Sequence, residues 1–114
     1  MIDLDALQDQ LSAWVKHNFG GGDATKPILG AMEELGELCH AHLKQQQGIR
    51  GTSTEHEAAA RDAVGDIVIY LIDYCNERGW RMADILAETS AEVLVRDWKL
   101  YPSTGKPPEV VVTP

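Results

Sequence analysis

Five carboxylates set inside two apolar, helix-patterned stretches restrict this chain more than any other feature of it. The first stretch, A-M-E-E-L-G-E-L from Ala31 to Leu38, holds Glu33, Glu34 and Glu37. Glu34 and Glu37 are three residues apart and so are neighbours on one helical face. The second, R-D-A-V-G-D-I-V-I-Y-L from Arg61 to Leu71, holds Asp62 and Asp66, four apart and again on one face. Two carboxylates about 4 Å apart repel by roughly 4 kcal/mol at an effective dielectric near 20. A divalent cation removes that cost, and Mg²⁺ takes carboxylate oxygens together with substrate phosphates. The pattern therefore predicts two helices that turn acids towards a shared oxygen-liganded cation.

The rest of the composition narrows the class. A chain of 114 residues with 44% hydrophobic content forms one modest core. A formal charge of −8 argues against a nucleic-acid binder, which shows a basic patch. No apolar run is long enough to span a membrane, and M-I-D-L-D-A-L lacks the basic and apolar regions of a signal peptide. Cys39 and Cys75 both fall within helical patterns, which predicts reduced core thiols in a cytoplasmic protein.

Four helices are expected. The first runs from about Asp3 to His17, with Leu4, Leu7, Leu11, Trp14 and Val15 at helical steps, and stops at N-F-G-G-G-D. That glycine run reads as a loop; no phosphate-binding pattern surrounds it. The second helix starts near Thr25-Lys26-Pro27, with Thr25 as cap, and ends at Gly48. Its apolar arc is Ile28, Ala31, Met32, Leu35, Leu38, Cys39, His42 and Leu43, and Glu34 and Glu37 lie on its flank. Gly30 and Ala41 complete the acidic face and leave room beside it; a solvated acidic flank is the plainer alternative. The third helix spans about Thr54 to Arg78, with Thr54 and Glu57 as a capping box. Opposite its apolar arc run Glu55, Asp62, Asp66, Asp73 and Glu77, which face solvent in a monomer, or another helix or subunit in a covered bundle. A fourth helix covers about Met82 to Trp98. Pro107 and Pro108 keep the end of the chain non-helical. The expected organisation is a helical domain over residues 1–102 and an extended tail over 103–114. The fold class is all-α: a four-helix bundle completed by homo-oligomerisation, since four such helices bury a small core.

The two acidic motifs, E-E-L-G-E-L from Glu33 and D-A-V-G-D-I-V-I-Y-L from Asp62, resemble those of the MazG-like all-α nucleoside triphosphate pyrophosphohydrolases. That family is similar to the dimeric dUTPases and the dCTP pyrophosphatases, and the likeness runs from about Trp14 to Pro102. It implies a MazG-like bundle with Glu34, Glu37 and Asp66 as Mg²⁺ ligands. The implied reaction converts a nucleoside triphosphate and water into a monophosphate and pyrophosphate. The family's second motif carries Glu three residues before its Asp. Here that position is Ala63, and Asp62, one residue earlier, is the acid that remains. Helical geometry puts Asp62 about 40° and Ala63 about 60° from Asp66, on opposite sides, so Asp62 is expected on the site face as a fourth ligand. In the last helix, where several members carry Lys and Asn, this chain has Val93 and Asp97.

Glu37 or Glu33 is placed to orient or deprotonate the attacking water. Arg96 and Lys99 are the cations available for the triphosphate, or are surface charges at a helix end. Trp14, beside the glycine loop, stacks on a base or belongs to the core. His40 and His42 point to different faces of a helix and form no zinc set with Cys39. Two functions follow. One is a Mg²⁺-dependent pyrophosphohydrolase that clears unwanted nucleotides as a homodimer or homotetramer. The other is a non-catalytic helical binding or assembly module that kept the fold and lost a ligand. Phosphoribosyl-ATP pyrophosphohydrolase is a third, weaker reading from the same superfamily.

Overall fold

The computed structural model describes residues 1–110. They form four helices, α1 (Leu4–Phe19), α2 (Thr25–Gln47), α3 (Ser53–Arg78) and α4 (Met82–Leu94), with no strand among the described residues. The all-α class is as expected. The chain divides into two compact units, Met1–Met82 and the part from Ala83 onward.

Glycine ends the first three helices. Gly20, Gly48 and Gly79 take left-handed conformations at φ 80, 69 and 71°, and their N–H groups return to carbonyls of the last turn. The starts differ from expectation. Thr25 does not cap α2; instead Asp23 Oδ1 accepts from the Thr25 N–H at 2.7 Å, two residues upstream. The capping box of α3 is Thr52 with Glu55, not Thr54 with Glu57. Each side chain accepts the other's backbone N–H, at 3.1 and 3.2 Å. The fourth helix ends at Leu94, four residues short of the expected Trp98.

In the first unit α2 and α3 form the principal pair. The face of α2 turned inward is Pro27, Ala31, Glu34, Leu38 and Ala41, every third or fourth residue. The apolar arc read from the sequence is mostly outside: Ile28, Met32, Leu35, Cys39 and Leu43 are exposed. The reason is size. Gly30 and Ala31 let α3 approach so closely that a β-carbon on Gly30 would stand 2.5 Å from Tyr70 Cε1. The space expected beside the acids at Gly30 is thus occupied by the Tyr70 ring, and Ala41 is itself buried. Opposite, α3 buries His56, Ala63, Ile72 and Cys75, while Val64 and Val68 are exposed. Cys39 is therefore not the core thiol expected, whereas Cys75 is, and both are free.

Helix α1 is fastened to α3 through a buried polar side chain. Gln8, 2% exposed, donates from Nε2 to Asn76 Oδ1 at 3.0 Å and to the Trp80 carbonyl at 2.8 Å. Its Oε1 accepts from the Met82 N–H at 2.9 Å, and Asn76 Nδ2 donates back to the Gln8 carbonyl at 3.0 Å. One amide thus satisfies the turn after α3. Arg81 adds an ion pair with Asp9 at 2.9 Å. The Arg78 guanidinium lies 4.4 Å from the centre of the Trp80 ring.

In the second unit no residue of α4 after Met82 is buried, and Leu86, Val93 and Leu94 are exposed. The segment after α4 turns back on itself. The Asp97 N–H donates to the Gly105 carbonyl and the Gly105 N–H to the Tyr101 carbonyl, both at 2.7 Å. Lys106 pairs with Glu92 at 3.0 Å. The expected tail from Ser103 is thus non-helical but folded at its start; its last residues, 111–114, lie outside the described residues. No helix among the described residues is long and apolar enough to cross a membrane.

Candidate functional site

Glu34 sits in the middle of the inward row of α2, half-buried, while Glu33 and Glu37 on either side of that row are exposed. Each of the three offers a carboxylate oxygen within 4.8 Å of the others. The Glu34 carboxyl is held above its ordinary value. Burial is the main cause, followed by a hydrogen bond with Glu37 and then the charges of Glu37, Asp66 and Glu33. Two carboxylates bond in that way only when they share a proton. Once ionised, Glu34 has a buried Oε2 that no donor among the described residues reaches. A buried anionic oxygen without a partner is costly, and the site leaves that cost uncompensated by protein groups.

Asp66 faces this cluster from α3. It is half-buried, its charge acts on Glu34, and the two border one cavity of about 260 Å³. Trp14 and Phe19 of α1 border the same cavity, with their rings edge to face at 5.7 Å. Trp14 is 54% exposed and is thus no core tryptophan.

The helices α2 and α3 run antiparallel, and their register fixes what stands opposite each acid. Gly30 meets Tyr70 and Glu34 meets Asp66, four residues on in one helix and four back in the other. The same register carries Glu37 to the level of Ala63. Ala63 is 2% exposed, in the inward row of α3, whereas Asp62 is exposed and is not among the charges acting on Glu34. The structure therefore brings Glu33, Glu34, Glu37 and Asp66 together and leaves Asp62 to one side. The expectation that Asp62 lies on the site face and Ala63 off it is reversed. A rotation of about 100° per residue puts neighbours 62 and 63 on different faces, and packing against α2 selects the smaller side chain.

Two acids that the sequence placed only in a charged stripe turn out to line the interior. Asp73 borders both the cavity of Glu34 and Asp66 and a second one of about 230 Å³. Glu77 borders the second, beside Gly21, Gly22, Asp23 and Lys26. Asp73 Oδ1 is buried without a hydrogen-bond partner among the described residues, and burial, then the Glu77 charge, raises its carboxyl above the ordinary value. The signal available in sequence was their spacing from Asp66, seven and eleven residues, which continues one helical row. Arg96 and Lys99 belong to the second unit, where both are exposed and the Arg96 guanidinium lies 5.9 Å from the Trp98 ring centre.

Comparison with protein-family models, with curated proteins and with solved structures finds no match to this chain.

Proposed function

We propose that this chain is a Mg²⁺-dependent nucleoside triphosphate pyrophosphohydrolase, giving a monophosphate and pyrophosphate, with a role in clearing unwanted nucleotides in the cytoplasm. The observation that carries the reading is the meeting of Glu34, with its unpartnered buried oxygen, and Asp66 across a cavity, flanked by Glu33 and Glu37. This donor set suits a hard cation: it is all carboxylate oxygen and carries more negative charge than its protein surroundings neutralise. Glu34, Glu37 and Asp66 would hold the ion. Bound there, Mg²⁺ supplies positive charge to phosphate oxygens and makes a water more acidic.

The chain's own groups account for the remaining chemistry. Glu33 and Glu37, the exposed members of the cluster, are open to a water and can take its proton. The water oxygen forms a bond to phosphorus, the anhydride bond between the α- and β-phosphates breaks, and its electron pair leaves with pyrophosphate. Trp14 offers a ring face on the same cavity.

Assembly is part of the proposal. Exposed Leu29, Met32, Leu35, Val64 and Val68 in the first unit, and Leu86, Val93 and Leu94 in α4, are large apolar side chains left facing water. Homodimer or homotetramer formation within a MazG-like bundle would cover them. The test of function is pyrophosphate release from a panel of nucleoside triphosphates with Mg²⁺. Release that disappears in Glu34→Gln supports the reading, and none from any nucleotide rejects it.

One observation favours a second reading, a helical binding or assembly module without activity. The residue level with Glu37 is Ala63, so α3 supplies one acid to the cluster where a second would fit the pattern. Retained assembly with no hydrolysis is the result that would select it.

A further inference from the structure

We propose that the cavity around Asp73 and Glu77 is a base-recognition subsite that takes nucleobases bearing an exocyclic amino group. This deepens the pyrophosphohydrolase reading and rests on it for the position of the phosphates. This cavity and the one that Glu34 and Asp66 border share Val15, Phe19, Tyr70 and Asp73. One ends at Glu34 and Asp66, and the other at Gly22 and Glu77. A nucleotide whose phosphates lie at the first end therefore has its base directed to the second.

The walls suit a flat ring. Phe19 and Tyr70 bring aromatic surface, and Val15 and Pro27 bring apolar surface, to the 230 Å³ space. Aromatic walls hold any base by stacking and so do not choose among them. The choice lies with the polar groups. Asp73 and Glu77 are four apart on α3, and the Glu77 charge acts on Asp73. Asp73 Oδ1 is buried and lacks a donor among the described residues. Glu77 stands so near the loop that a β-carbon on Gly22 would overlap its carboxylate, so glycine there keeps that acid against the cavity.

Ionised carboxylates only accept hydrogen bonds. An exocyclic amino group carries two hydrogens, enough for both acids, and carboxylate acceptance from cytosine N4 is a recognised pairing. Uracil and thymine present one ring N–H between two keto oxygens, and those oxygens would face carboxylate oxygens. Lys26 on the same wall can donate to a ring nitrogen or keto oxygen beside the amino group. The subsite thus favours cytosine, adenine and guanine over uracil, thymine and hypoxanthine.

The test compares kcat/KM for pyrophosphate release from CTP, ATP and GTP with that from UTP, TTP and ITP, and binding of CMP with that of UMP by calorimetry. The expected result is a preference of about tenfold or more for the amino-bearing bases, as one good paired contact provides. Asp73→Asn, which removes the charge and replaces one of two acceptor oxygens by a donor, should narrow the CTP-to-UTP ratio by about tenfold. Glu77→Gln, a half-buried site beside the loop, should narrow it in the same direction and stands in if Asp73→Asn does not fold. Equal use of all bases, a preference for UTP, or ratios unmoved by both variants would overturn the proposal. If no triphosphate is hydrolysed, the pyrophosphohydrolase reading fails, and the CMP-against-UMP comparison still decides the subsite: tighter CMP binding upholds it, and equal or absent binding overturns it.

Discussion

The Tyr70 ring lies across Gly30, 2.5 Å from where a β-carbon would stand, next to the place where the Asp66 charge acts on Glu34. Both pairs join α2 to α3, and both lie one helical turn apart along the same two helices. The close approach that glycine permits is therefore expected to bear on the acids as well. Gly30→Ala forces the ring or the helix aside. It should lower stability by about 1–3 kcal/mol, as overpacking does, and weaken any Mg²⁺ response. Urea denaturation with and without Mg²⁺ reads both effects, and an unchanged midpoint would show that the helices have slack at this point.

Gln8 provides a second structural test. It satisfies the Trp80 carbonyl, the Met82 N–H and Asn76 with one amide. Gln8→Ala leaves these groups without their partner and opens a space in the interface of α1 and α3. The expected loss is about 2–4 kcal/mol, more than a single hydrogen bond, because several part-buried groups lose their partner together. Gln8→Leu, which fills the space but restores no bond, should recover little of it in the same denaturation assay.

Much of this was legible in the sequence, for physical reasons. The ends of α2 and α3 were readable because Gly48 and Gly79 suit the left-handed cap. Glu34 and Asp66 were readable because acids at helical spacing within apolar runs conflict with burial. The start of α3 was not, since T-S-T-E-H-E offers two Thr residues, each with Glu three positions on. The inward face of α2 was misjudged because apolar periodicity weights large side chains, while closeness of packing is set by small ones such as Ala31 and Ala41. Gln8 was invisible to an apolar pattern, and Asp73 looked like one more member of a solvated stripe.

Asp73 also gives a pH dependence whose sign is fixed. Its folded carboxyl lies above the ordinary value of 3.8, because of burial first and Glu77 second. The folded protein therefore holds this proton more tightly than the unfolded chain. Its contribution to stability is fully present below 3.8 and is lost as pH rises through the raised folded value. Asp73→Asn should flatten the fall in stability over that window relative to the parent. Denaturation midpoints across a pH series measure this, and parallel curves for the two proteins would show that Asp73 is no less comfortable folded than unfolded.

The exposed apolar side chains of α2 predict association. Met32 and Leu29 are 66% and 62% exposed, although each would contribute about 1.5–3 kcal/mol if fully buried. Light scattering at micromolar concentration should give the mass of a dimer or tetramer, and Met32→Glu should weaken association at least tenfold, about 1.4 kcal/mol. A monomer for the parent chain would mean that this face stays in water.

Pyrophosphate release from nucleoside triphosphates in the presence of Mg²⁺, by the parent chain and by Glu34→Gln side by side, is the most direct measurement. Release by the parent is expected, with its loss on chelation of the metal and a fall of about a hundredfold or more in the variant, since even outer partners of such ligands are worth about 10–100-fold. Full activity in Glu34→Gln, or no release from any nucleotide by the parent, would contradict it.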